Sequence, residues 1–344
     1  MTPDVPWALA VRVAGQIAGT HPLFESYHRT ALAEEMPGIV ARAQDLVVAE
    51  TGLFGTGMPR VEVVDRRAWV ERNVAFFSAI IDPAREALVA SSPKAALQRV
   101  AGPIVAAETG ALLGVLAKRV LGQYELVLPA DGAGDTIYIV GPNVLALERA
   151  HQFIPAEFRM WLALHECAHR LQFVGVPWLR DHFLDLVQRL VGSARPEPGR
   201  LRRVTDDLVK AAGAGEPLIG EAGLLGLFAN EDQRSLLDEM QAMMSLLEGH
   251  GHVVMDRVGS RVLATQGRMS KLLKQRRNDP RMAAFFRLTG MEMKMRQYEA
   301  GEKFVLGVES YAGWSTLDAA WAGPENLPTL AEIDDPVGWA RRVA

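Results

Sequence analysis

The chain has 344 residues, a net charge of −4 and 49% hydrophobic residues. That supplies material for a packed core and no overall positive field to attract nucleic acid or an anionic membrane. A single cysteine, Cys167, excludes an intramolecular disulfide framework and suits a reducing compartment.

Near the N-terminus an apolar stretch is preceded by Asp4, is interrupted by Arg12 and Gln16, and lacks a basic leader. No window approaches the roughly 18 apolar residues of a membrane span, so the expected location is cytoplasmic. Residues 7–19, 25–50 and 66–120 carry Ala, Leu, Val, Glu and Arg with apolar positions three and four apart, which predicts amphipathic helices. Within this helical first part, about 1–120, PRVEVVDRRAW alternates briefly as a short strand would, and Asp65 is placed to cap the helix after it.

From 124 to 142, YELVLPADGAGDTIYIVGP, two β-branched and aromatic runs flank a Pro-Ala-Asp-Gly-Ala-Gly-Asp turn, the pattern of a β-hairpin. A helix is expected from near Pro155 and Glu157, and another from about Trp178 to Val191. GSARPEPGR then reads as a surface loop. Helical texture resumes over 200–212, lapses in the Gly-rich 213–226 and returns from about Asp232 to Val258. The C-terminal part, about 260–344, is again helical, and its basic stretch KLLKQRRNDPR lacks interleaved aromatics, so it reads as a solvated cationic face rather than a nucleic-acid patch. The expected fold is mainly α with a small β-hairpin or small sheet, a single domain over 1–344 with its site-bearing core at about 155–260.

WLALHECAHRLQF, residues 161–173, contains H-E-x-x-H. On a helix His165 and His169 share a face and can present imidazole nitrogens to one Zn²⁺ at about 2.0–2.1 Å. Glu166, about 100° around the helix, falls beside the ion and can accept the proton of an attacking water. The frame supports a helix: FRMWLALHECAHRLQFV has no proline or glycine. Cys167 points away from both histidines and reads as a small core residue.

A catalytic zinc site usually has three protein ligands. The pool for the third is DEMQAMMSLLEGHGHVVMD, residues 238–256, where Glu248, His250, His252 and Asp256 crowd one expected helix. Glu248 and His250 lie on different faces, so both do not easily reach one ion. Glu248 is preferred, because Glu completes the His₂Glu, gluzincin-like class and the glycine after it permits close helix approach. His250 stays as the alternative ligand, with His252 and Asp256 behind the ligands or orienting substrate.

FRMWLALHECAHRLQFVGVPWLRDHF and MSLLEGHGHVVMD resemble the zincin-like metallopeptidase type 2 family of actinobacterial and related proteins, one branch of which is named for association with biosynthesis of a deazaflavin coenzyme. VPWALAVRVAG, IVGPNVLALER and MKMRQYEAGEKFV extend the likeness over most of the chain. The resemblance implies a helical zincin-like fold and a zinc-dependent hydrolase. It carries over His165, Glu166 and His169 residue by residue and supports Glu248 and His250 through the E-G-H block.

The expected activity is therefore that of a zinc metallopeptidase or related hydrolase acting on a peptide or small amide or ester. The competing expectation is a non-catalytic, metal-stabilised helical protein serving as an accessory or binding factor.

Overall fold

The computed structural model describes residues 5–90, 95–125, 135–192, 231–277 and 292–344. The expected helix at 200–212, the loop and Gly-rich stretch around it, and most of the 129–135 turn lie outside these residues. The chain divides into two compact units, Met1–Arg180 with Val254–Met269, and Asp181–Val253 with Ser270–Ala344. Among the described residues no helix is long and apolar enough to cross a membrane.

The first unit opens with α1 (Trp7–Ala18) and α2 (Tyr27–Thr51), followed by β1 (Arg60–Val64), α3 (Arg66–Ala90) and α4 (Ala95–Leu116). Asp65 caps α3 as its sequence position predicts, its Oδ1 accepting from the Ala68 N–H at 2.6 Å. Ala10 and Ala14 on α1 let α4 come so close that a Cβ at Gly110 would lie 2.5 Å from the Ala10 carbonyl oxygen. These small faces join Val70, Val74, Ala106, Leu113 and Val140 in one buried cluster.

After α4 come β2 (Gly122–Tyr124), β3 (Thr136–Val140), α5 (Gly141–His151) and α6 (Pro155–Gly175). β3 is the middle strand of a three-stranded sheet, parallel to β1 and antiparallel to β2. All five β3 residues are buried, which suits an Ile- and Val-rich strand covered on both faces. The antiparallel pair is the expected hairpin pairing; its first strand, Gly122–Tyr124, begins two residues before the YELVL run, of which 126–128 lie outside the described residues. β1 enlarges the hairpin to a small mixed sheet. α6 packs on α2 and on β2.

The second unit contains most of α7 (Leu179–Gly192), the main part of α8 (Glu231–Val262), and most of α9 (Gln266–Arg277), which begin or end in the first unit, then α10 (Glu292–Ala312) and α11 (Pro336–Val343). α8 and α10 cross backbone to backbone: a Cβ at Gly249 would stand 2.1 Å from the Gly301 carbonyl carbon. Trp339 on α11 is fully buried, its ring edge-on to Phe304 at 5.2 Å and its Nε1 donating to the Asn326 carbonyl at 2.9 Å.

Candidate metal centre

α6 begins where the sequence places it, with Pro155 in its first turn and Glu157 at its positive end. Its 21 residues run through the motif without a helix breaker. The helix turns His165 and His169 together: their Nε2 atoms lie 3.2 Å apart and the rings meet edge to face, centroids 4.5 Å apart. Two ligands at about 2.0–2.1 Å from one tetrahedral ion stand roughly 3.3 Å apart, so the spacing fits a shared zinc.

Gln172, one turn further on and fully buried, sets the chemistry of that pair. Its Oε1 is 3.0 Å from His169 Nδ1. An amide oxygen only accepts, so this bond puts the proton on Nδ1 and leaves the Nε2 lone pair facing His165. Sequence reasoning missed Gln172; an amide three residues beyond a histidine expected to ligate metal, on the same helix, is the signal that points to it.

Glu166 is 4% exposed and rests on β2. A Cβ built on Gly122 would lie 2.5 Å from Glu166 Oε1 and 2.8 Å from Cδ. Only glycine leaves that room. Gly122, too, was not singled out from the sequence, because its role depends on a helix more than forty positions away.

Among the described residues β2 is an edge strand. The Leu121 carbonyl accepts from the Val140 N–H and the Glu125 N–H donates to the Thr136 carbonyl, each at 2.8 Å. By the alternation of an antiparallel ladder, the peptide groups of Gly122 and Tyr124 then point away from β3. The carboxylate of Glu166 thus sits over the face of this strand, where a Gly122 side chain would stand.

Arg170, one turn beyond Glu166, is fully buried and ties this edge to the helix. Its Nε donates to Asp135 Oδ1 at 2.6 Å, one Nη donates to Gln44 Oε1 at 2.7 Å, and the other reaches the Thr56 and Gly57 carbonyls at 3.2 Å. Asp135, at φ 80°, holds a left-handed conformation immediately before β3. The Tyr124 phenol is pushed up to about 12 by burial, with Asp135 adding to the rise, so it is neutral at working pH and can only donate or accept hydrogen bonds. Burial also pushes the Cys167 thiol well above its usual range. It is a core residue as expected, its Sγ 3.6 Å from the Val40 carbonyl.

On α8, Glu248 is 4% exposed. His250 lies about 200° around the helix from it and is enclosed by Trp314, stacked at 5.6 Å, and Trp321, edge-on at 5.1 Å. His252 Nε2 is 3.7 Å from Glu302 Oε2 on α10, and Asp256 accepts from Gln266 Nε2 at 2.5 Å. Among the described residues, His165 and His169 in the first unit, and His252 and Glu302 in the second, form two sets of donors that could hold a metal ion. His250 belongs to neither set.

A family model described as zincin-like metallopeptidase matches residues 5–340. A crystal structure from Chloroflexus aurantiacus, described as a candidate hydrolase with a novel fold, is similar at 29% identity over 98% of each chain, with a TM-score of 0.71. No curated protein matches the chain. With a match over nearly its whole length, a histidine pair poised on one helix and a hydrolase-like structural relative, the chain belongs to the zincin-like metallopeptidase family.

Proposed function

We propose that the protein is a zinc-dependent hydrolase of peptides or related amides, with His165, His169 and Glu248 as ligands and Glu166 as general base. The observation that carries this reading is the His165–His169 pair, whose Nε2 atoms are 3.2 Å apart while Gln172 occupies the far nitrogen of His169. That bond leaves the His169 Nε2 lone pair on the His165 side, the form in which it can ligate a metal. When bound, zinc supplies a Lewis acid that lowers the pKa of a coordinated water toward about 7.

The chain's own residues supply the rest. Glu166, held against Gly122, takes the proton of the attacking water and returns it to the leaving amine. The outward peptide groups of Gly122 and Tyr124 pair with an extended substrate backbone, as an added strand would, which draws the bond to be cut to the Glu166 end of the edge. Burial of Glu166 keeps bulk water from competing for its proton.

Metal analysis of purified protein, with and without His165→Ala, is the first test, followed by hydrolysis of internally quenched peptides. One equivalent of zinc lost in the variant, with metal-dependent cleavage, is the expected result. Zinc bound stoichiometrically with no turnover would favour a structural metal and an accessory role instead.

A further inference from the structure

α6 is a buried helix with one open line. Of residues 158–172 only Trp161, His165 and His169 are partly exposed; the rest are buried. They stand four apart, so they follow one another along a single face of the helix, each about 40° on from the last. Two of them are the histidines of the candidate metal pair. The third is an aromatic ring one turn ahead, its Cβ about 5–6 Å from that of His165.

That ring is set with its one polar atom inward. Trp161 Nε1 is sealed from solvent and, among the described residues, meets no hydrogen-bond acceptor. Other tryptophans of the chain satisfy theirs: Trp7 donates to Asp82 at 3.1 Å, Trp69 to Gln123 at 2.6 Å and Trp339 to the Asn326 carbonyl at 2.9 Å. An indole has a single N–H and no acceptor, so the whole polar capacity of the Trp161 side chain goes unused, at the cost of a desolvated donor. A buried tryptophan kept only for packing usually turns that N–H to a partner. With the nitrogen hidden, whatever part of this side chain reaches the open line is carbon.

Trp161 is also held from behind. It stacks on Phe158, planes 12° apart and centroids at 6.2 Å, and Phe158, fully buried, meets Phe153 at 4.9 Å. Helical side chains lean toward the N-terminus, and the Phe158 stack agrees with that direction. The open line is therefore bounded, on the N-terminal side of the histidines, by a fixed apolar wall. A local rule broken without internal compensation marks a place where a ligand completes the arrangement. What this ring offers a ligand is apolar contact and stacking.

We propose that Trp161 walls a subsite for an aromatic or other large apolar side chain of the substrate, carried within two residues of the bond that lies at the histidine pair. An extended peptide advances about 3.3 Å per residue, so a side chain one or two residues along spans the turn between His165 and Trp161. Trp161 is then a specificity-determining residue. The subsite rests on the hydrolase reading above and adds its substrate class, peptides with an aromatic residue close to the cleaved bond.

The test uses the zinc-loaded full chain and hydroxamates, which bind a catalytic metal without being cleaved. Acetohydroxamate carries the metal-binding group alone. Two series of peptide hydroxamates place Phe or Ala at the first or the second residue from that group. Affinities are measured by calorimetry for wild type, Trp161→Phe and Trp161→Gln, with melting to confirm folding. In one series the Phe peptide should bind wild type about tenfold more tightly than its Ala counterpart, a discrimination within reach of an apolar subsite. Trp161→Phe should keep most of that preference and Trp161→Gln should lose it, while acetohydroxamate binds all three proteins alike. Magnetisation transfer between the ligand's phenyl protons and the Trp161 indole reads the same contact in wild type, so the question is decided even where a variant fails to fold.

Equal affinity for Phe and Ala in both series, a preference that survives Trp161→Gln, or no transfer to the Trp161 indole at saturation would overturn the subsite and leave the metal site standing. A loss of acetohydroxamate affinity in folded Trp161→Gln would overturn it too, by assigning the ring to the histidine pair. Failure of acetohydroxamate and every peptide hydroxamate to bind wild type would overturn the hydrolase reading, and the subsite with it.

Discussion

The carboxylate of Glu166 fills the space that any side chain at Gly122 would need, 2.5 Å from Oε1 to the position of a Cβ. Gly122→Ala is therefore expected to push the proposed general base off its seat. A misplacement of about 1 Å can cost 10²-fold in rate, and overpacking costs about 1–3 kcal/mol. The thermal arm is independent of activity: Glu166→Ala, which empties the space, should restore the melting temperature lost in Gly122→Ala. Additive losses in the double variant would show that the two residues do not compete for one volume.

Glu166→Gln keeps the side chain's shape and removes its basicity. Zinc content should stay at the wild-type level while turnover falls by roughly 10²–10⁴-fold, the usual worth of a positioned general base. Metal analysis and peptide hydrolysis on the same preparation check this, and preserved turnover would reject Glu166 as the base.

How much of this could be read from the sequence follows the range of the interactions. The motif helix was legible because its signals are local: Pro155 and Glu157 at the start, no breaker through Phe173, and two histidines one turn apart. The β3 strand and the Asp65 cap were legible for the same reason. Gly122 was not, because its meaning comes from Glu166 arriving on another element. The strand before the turn begins two residues earlier than the YELVL run, because Gly122 and Gln123, which carry little β propensity, also pair with β3. Gly249 was noted as permitting a close helix, but the helix that crosses it is α10, through Gly301, which no local pattern marks.

Gln172 fixes the tautomer of His169, so its loss should be felt in the metal rather than in the fold. Gln172→Leu is expected to weaken zinc binding by about 10–100-fold, the usual effect of removing a ligand's hydrogen-bond partner. Gln172→Glu keeps the acceptor and should recover most of it. Competition with a chelator of known affinity measures both; wild-type affinity in Gln172→Leu would mean that His169 needs no such partner.

Acid should weaken the α6–α9 junction in a way that depends on Glu157. Hydrogen bonds from the Thr265 hydroxyl and N–H, at 2.5 and 2.8 Å, hold this carboxyl below its usual range. Its folded-state pKa therefore lies below the unfolded value. The stabilisation is whole above the ordinary Glu pKa of about 4.3 and is lost as pH falls through the lower, folded value. Wild type should exceed Glu157→Gln in stability at neutral pH, and the gap should close on acidification, as followed by denaturant titrations across that range. A gap that stayed constant with pH would assign the difference to something other than this charge.

The crossing of α8 and α10 gives a prediction whose sign is informative. Replacing an exposed helical glycine by alanine normally stabilises by about 0.5–1 kcal/mol, because alanine loses less backbone entropy. Gly38 on α2, exposed and with nothing within 4 Å of its would-be Cβ, should behave that way. At Gly301 the same Cβ would meet the Ser245 carbonyl oxygen at 1.9 Å. Backbone stands on both sides, so no side-chain rotation relieves the overlap and the helices must part. Gly301→Ala should therefore lower stability by about 3 kcal/mol or more, at or beyond the upper end of ordinary overpacking. Separation at this crossing would also move Glu302 away from His252 and disturb the turn of α8 that carries Glu248, so zinc affinity should fall with the melting temperature. A calorimetric scan of the two glycine variants decides it: if Gly301→Ala melted like Gly38→Ala, the close crossing would not exist.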